Sequence, residues 1–200
     1  MLTKIARKRF LEKYPEFVTA DYRRDKFFSP DGVAYYILYV EARSTVGLCS
    51  KMAAELTNLC TSMGYSGLNF MGEITAAWRY RNHDYPPVKK ALAYLVANNI
   101  SKSFNGAIYV PLAHLPVFLR HLFWLVRCNG VVFLPHFSDP GFNIIGSLCK
   151  YGNLHLTIIN KTAELSFDEV MEHNDLFYLR EERCGGGRIP GRKGTYTAGN

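Results

Sequence analysis

Trp78, Arg79, Tyr80, Arg81, Asn82, His83 and Asp84 follow one another without a break and run through Tyr85 into the pair Pro86-Pro87. Alternating aromatic and arginine side chains suit a polyanion, because guanidinium groups neutralise phosphate while rings stack on bases. On an extended backbone Arg79 and Arg81 point the same way and form a two-pronged clamp, with Trp78 and Tyr80 as the stacking pair. His83 has the chemistry of a general base, and Asp84 beside it that of a metal ligand or a helix cap. Glu73, a few positions upstream, adds a carboxylate for catalysis or for a metal. The same residues would also serve a polar connection that caps the next helix and buries Trp78. The sequence leaves both readings open.

Two other stretches carry chemistry. "FLPHFSDPG", 133 to 141, puts His136 and Asp139 three apart at a strand end. An imidazole and a carboxylate so spaced can hold a divalent metal or share a proton, with His136 as general base and Asp139 as ligand. A packed histidine followed by an Asp-Pro-Gly turn is the alternative. "GGGR", 185 to 188, could cradle phosphate through backbone N–H groups, with Arg188, Arg192 and Lys193 as nucleic-acid contacts. Its surroundings scramble the G-x-x-x-x-G-K-[ST] spacing, so a plain glycine-rich arm fits as well. Arg120, His121 and Trp124 read as a helix edge, and no G-x-S-x-G elbow is present.

These groups need elements to hold them. Residues 3 to 14 read as a short basic helix, and 33 to 42, "VAYYILYVEA", as a buried strand. Leu48, Met52, Leu56, Leu59 and Met63 recur at three and four, predicting an amphipathic helix from 47 to 63 that Gly64 ends. "GLNFMGEITAAWRY" is either strand then helix or one irregular element. Pro86-Pro87 open a helix, Asn105-Gly106 turn the chain into the strand "AIYVPL", and a second helix covers 115 to about 128. "GVVFLPHF", "FNIIGSLCKY" and "NLHLTIIN" read as strands, the last two joined at Gly152-Asn153 as a hairpin. Ser166 and Glu169 have capping-box spacing, predicting a helix from there to about 174. This order predicts a single α+β domain with a mostly antiparallel sheet.

Charge sorts the chain into parts. Residues 1 to 26 hold eight basic side chains against four acidic, and 180 to 200 five against two. Residues 27 to 179 hold eleven of each, so the net +7 belongs to the ends. Ends of that kind meet something anionic, nucleic acid or an acidic membrane face, or else solubilise. The division expected is a basic extension over 1–26, an α+β domain over 27–180 and a flexible Gly/Arg-rich tail over 181–200. With 48% hydrophobic residues, most of the chain must fold rather than stay disordered. Cys49, Cys60, Cys128, Cys149 and Cys184 form no C-x-x-C pair and read as small apolar residues. The opening lacks the apolar run of a signal peptide. The most apolar stretch, "IYVPLAHLPVFLRHLFWLV", is broken by two prolines, two histidines and Arg120. A cytoplasmic protein without a transmembrane segment is expected.

The block "NGAIYVPLAHLPVFLRHLFWLVRCNG", then "PHFSDPGFNIIG" and "GNLHLTI", resembles plasmid fertility-inhibition factors of the Osa and FiwA type, over roughly residues 70 to 180. Such proteins suppress conjugative or T-DNA transfer through a type IV secretion system. The resemblance implies a ParB/sulfiredoxin-like fold, a divalent metal (Mg²⁺) and ATP as cofactors, and nucleotide hydrolysis with DNA cleavage. It also implies DNA and the secretion coupling protein as partners, with peripheral association at the inner membrane. The phosphate loop of that fold is a strand, then G-x-x-R, then a helix. Gly185 to Arg188 match the four residues but have neither flanking element, which puts phosphate chemistry there in doubt. Two readings follow: an inhibitor of conjugative transfer that engages DNA, with or without metal-dependent cleavage of it, or a non-catalytic adaptor or nucleic-acid-binding protein docking on a protein partner. Convergence of Glu73, His83, Asp84, His136 and Asp139 in one pocket separates them.

Overall fold

The computed structural model describes residues 1–18, 32–72, 76–128 and 135–179. In chain order the elements are β1 (Thr3–Ile5), α1 (Arg7–Lys13), β2 (Ala34–Tyr39), α2 (Thr45–Ser62), β3 (Gly67–Met71), α3 (Pro86–Ala97) and β4 (Ala107–Pro111). They continue with α4 (Leu115–Arg127), β5 (His136–Ser138), β6 (Ile144–Leu148), β7 (Leu154–Ile158), α5 (Lys161–Met171) and β8 (Phe177–Tyr178). Among the described residues the strands make one sheet, ordered β1-β4-β3-β5-β6-β7-β2-β8, and every pair in it is antiparallel. The fold is α+β, a single domain.

Period-two alternation decides what each sheet face carries. One face presents Leu38, Leu68, Phe70, Ile108, Val110, Phe137, Leu148, Leu154, Leu156 and Ile158 to the helices α2, α3, α4 and α5. The helices meet it with residues spaced three and four apart, such as Leu48, Met52 and Leu56 on α2 and Leu115, Leu119 and Leu122 on α4. Burying each large apolar side chain there contributes about 1.5–3 kcal/mol. The other face carries Met71 and Ala107, against which Phe10, Tyr14 and Phe17 pack as a second apolar cluster. Among the described residues no helix is long and apolar enough to cross a membrane.

Local chemistry starts and stops the elements. Ser44 caps α2 by accepting from Gly47 N at 3.0 Å, and Gly64 ends it at φ 72°. Pro86-Pro87 open α3 as expected. The β6–β7 hairpin closes through Cys149 N to Asn153 O at 3.1 Å and Gly152 N to Cys149 O at 2.9 Å. Gly152 sits at φ 88°, and a Cβ there would lie 2.6 Å from Leu48 Cδ2, so the turn admits only glycine without strain.

Two expectations change, and two fall partly outside the described residues. The helix read over 3 to 14 begins only at Arg7, because Thr3–Ile5 pair with Ala107–Tyr109 as an edge strand. Residues 1–18 are therefore packed into the domain rather than extending from it. The stretch "GLNFMGEITAAWRY" is the strand β3 and then, past Glu73, Ile74 and Thr75, which lie outside the described residues, a turn at Trp78-Arg79. The strand read in "GVVFLPHF" is described only as His136–Ser138, since 130–134 lie outside the described residues. The helix assigned to Ser166 starts at Lys161 and ends at Met171, because Asn160 accepts from Ala163 N at 2.9 Å and caps it first. Ser166 lies inside that helix, donating back to Thr162 O. The tail 181–200 lies outside the described residues.

Candidate nucleic-acid interface

The loop before α3 does not build the clamp its sequence offers. Tyr80 N donates to Ala77 O at 3.0 Å, a turn that sends Arg79 and Arg81 in different directions. Arg79 is half-buried, donating through Nη1 to Ile100 O at 3.0 Å, while its buried Nε finds no partner among the described residues. Arg81 is exposed, its guanidinium 5.8 Å from the centre of the exposed Tyr80 ring. Trp78 cannot stack on a base. It is 2% exposed, donates from Nε1 to Gly106 O at 2.8 Å and meets Phe118 edge-on in the core. What remains at the surface is one cation–aromatic pair, Tyr80 and Arg81.

His83 and Asp84 are likewise engaged locally. His83 Nδ1 accepts from Tyr85 N at 3.0 Å, so that nitrogen shapes the approach to α3. Tyr85, not Asp84, is the cap residue of α3, and it makes no side-chain cap bond. The Asp84 carboxylate is fully exposed and pairs with Lys89 in the first turns of α3 at 3.3 Å. A salt bridge so exposed contributes little.

His136 and Asp139 sit deeper. His136 lies in the middle of the sheet between Met71 on β3 and Ser147 on β6. Burial first, and His155 second, push its pKa down to about 4, so it is neutral at pH 7. Asp139, 1% exposed, accepts from Gly141 N (2.8 Å), Asn143 N (2.6 Å), Asn143 Nδ2 (2.8 Å) and Ile144 N (2.9 Å). Those four bonds fill the acceptor positions of a carboxylate and fix the β5–β6 turn. Neither Asp84 nor Asp139 is thus arranged as a metal ligand. Among the described residues no three His, Cys, Asp or Glu side chains are grouped to hold a metal. Glu73, Arg188, Arg192 and Lys193 lie outside the described residues. The placed members of the proposed catalytic set, His83, Asp84, His136 and Asp139, do not converge.

Sequence reasoning missed a polar layer on the sheet face opposite the main core. Ser147 stands between His136 and His155 in one cross-strand row. Asn69 and Ser138 stand opposite each other in the next row. All five are at most 5% exposed. Tyr35 Oη and His155 Nδ1 share a hydrogen bond of 2.7 Å. The signal was available: each of these strands carries a polar residue at alternate positions, "LNF", "PHFS", "IGSL", "LHLT". Such alternation normally marks a solvent face; here that face is covered.

At the β1 end of this face a cleft of about 600 Å³ opens under α1. Arg9 and Lys13 stand at its rim, Thr3, Ser66 and Tyr109 along its wall, and Asn69 on its floor. No acidic side chain lines it among the described residues. Lys4 also borders it, but its ammonium donates to Asn99 O at 3.0 Å. A concave surface with cations and, among the described residues, no carboxylates has a positive local potential. No family model, curated protein or solved structure matches this chain.

Proposed function

We propose that this chain is a nucleic-acid-binding inhibitor of conjugative DNA transfer that acts by occupying DNA rather than by cutting it. The observation that carries this reading is the cleft rimmed by Arg9 and Lys13, lined by no acidic side chain among the described residues. The divergence of His83, Asp84, His136 and Asp139 supports binding over catalysis, since acid–base or metal chemistry needs such groups within reach of one reacting atom. The resemblance to fertility-inhibition factors supplies the biological setting. A ParB/sulfiredoxin-like form, a secretion coupling protein as partner and a peripheral place at the inner membrane belong to the same proposal. A nuclease dependent on Mg²⁺ and ATP is the rival, and Glu73 is the acid–base candidate still open to it. Incubating purified protein with supercoiled plasmid, with and without Mg²⁺ and ATP, separates the two. Binding predicts retarded, intact plasmid in every lane. Nicked or linear product that requires Mg²⁺ overturns it.

A second reading, the adaptor, draws on the far end of the sheet. Phe177 and Tyr178 on the edge strand β8 are 41% and 44% exposed, beside Tyr39 and Tyr36 of β2. An aromatic edge of this kind suits a protein partner better than a polyanion. Loss of transfer inhibition in a Phe177→Ser/Tyr178→Ser variant that still binds DNA would give this reading the lead.

A further inference from the structure

The polar row under α1 has unmet hydrogen-bonding capacity. Thr3, Tyr109, Asn69 and Ser138 stand opposite one another on β1, β4, β3 and β5, so their side chains share the face on which α1 lies. Asn69 is 3% exposed and Ser138 0%. Ser138 Oγ has no hydrogen-bond partner among the described residues, and Asn69, its neighbour in the row, lines the cleft. A buried hydroxyl left so costs stability, whereas the Asn69 amide borders the cleft, where a ligand can reach it. Of this row Thr3, Tyr109 and Asn69 line the cleft, and Asn69 is the most buried of the three.

The rim adds charge. Arg9 and Lys13 are four apart on α1 and share one side of it. Both are exposed and neither joins an ion pair among the described residues, although Lys13 lies 5.0 Å from the centre of the Tyr14 ring. Glu12 lines a separate hollow with Arg7 and Lys8. Like charges at this spacing repel, and an anion between them relieves the repulsion. The half-buried Tyr109 ring forms part of the wall, its hydroxyl tied to Ser66 at 3.2 Å. Cations for the phosphate, an aromatic wall and an amide for a base edge are what a nucleotide needs.

We propose that this cleft, an inference resting on the DNA-binding reading above, seats one unstacked nucleotide of a single strand. Its phosphate lies between Arg9 and Lys13, its base against Tyr109, and a base edge meets Asn69. A duplex keeps its bases in the stack and reaches only the rim. A free mononucleotide offers the same chemistry, so the source has to be tested as well.

Fluorescence anisotropy with a labelled single-stranded oligonucleotide and its duplex is the test, with calorimetry on AMP and adenosine beside it. The single strand is expected to bind about tenfold tighter, the scale of one good amide–base contact. Asn69→Leu should abolish that preference and leave duplex affinity unchanged, whereas Arg9→Gln/Lys13→Gln should weaken both. Should Asn69→Leu fail to fold by circular dichroism, Tyr109→Ala on the cleft wall must lose the preference instead. AMP binding with adenosine silent makes the free nucleotide a source. AMP silent beside a retained strand preference assigns the seat to the polymer. Equal affinity for strand and duplex, or a preference that survives these substitutions, overturns the seat while sparing the DNA-binding reading. Binding of neither DNA overturns both.

Discussion

At the scale of single residues, burial reassigns roles that residue types suggest. His136 reads as a general base in the sequence, yet it is a neutral imidazole inside a sheet. Its folded-state pKa is about 4 against an ordinary 6.5. Between those values the unfolded chain takes up a proton that the folded chain refuses, so stability is full above pH 6.5 and falls as the pH drops. Over that window the loss approaches 3 kcal/mol, at about 1.4 kcal/mol per pH unit. His121, lowered by burial and then by Arg120, acts in the same direction. Urea unfolding at pH 7, 5.5 and 4.5 should show this fall, and His136→Asn should flatten it. An unchanged slope in that variant would show that His136 is not its source. Arg79 and Arg81 make a second contrast. Arg79→Ala orphans the Ile100 carbonyl and should cost about 1–2 kcal/mol in thermal melts, while Arg81→Ala should barely move them. Equal effects would mean that the two side chains share one environment. The types in this loop were legible, but their directions were not. The turn at Ala77–Tyr80 and the backbone carbonyls of Ile100 and Gly106 decide them, and those groups come from distant sequence.

At the scale of elements, the readable ones carried their own signals. α2, α3 and α4 declared themselves through apolar residues at three and four, and through prolines in the first turn. The central strands did so through β-branched and aromatic runs. β1 and β8, three and two residues long, have no periodicity to read; they exist because β4 and β2 offer free edges. The start of α5 was missed because only the Ser166–Glu169 spacing was read as a cap; in the structure Asn160 caps the helix and also donates to Asn143 Oδ1 at 3.0 Å. That second bond ties the helix start to the β5–β6 turn that Asp139 organises. Asn160→Ala should therefore destabilise by about 1–2 kcal/mol, the upper range for a lost cap. Ser166→Ala should stay within roughly 0.5 kcal/mol, as a solvent-side change inside a helix does. Chemical denaturation of the two variants decides it, and a larger loss at Ser166 would restore the later helix start.

At the scale of the whole molecule, the charge map takes on a shape that the sequence could not give. The neutral middle of the chain supplies most of the sheet and four helices. The basic N-terminal segment folds back as β1 and α1 to wall the cleft, its apolar side anchored by Phe10, Tyr14 and Phe17. Deleting it would remove an edge strand and an apolar cluster along with the charge, so charge has to be altered without cutting the chain. The second basic block, Arg188, Arg192 and Lys193, offers a cleaner test of whether both ends serve one polyanion. Each cation that neutralises a phosphate of a single strand adds about 0.7 to the slope of log affinity against log salt, because counterions are released on binding. Replacing these three by Gln should flatten the slope by up to roughly 2 if all touch the strand. The cleft should keep its share, so a measurable slope must remain in that variant. Salt titrations of the anisotropy signal, wild type beside variant, read the difference directly. A slope identical to wild type would exclude the C-terminal cations from the interface and leave Arg9 and Lys13 as its cationic rim.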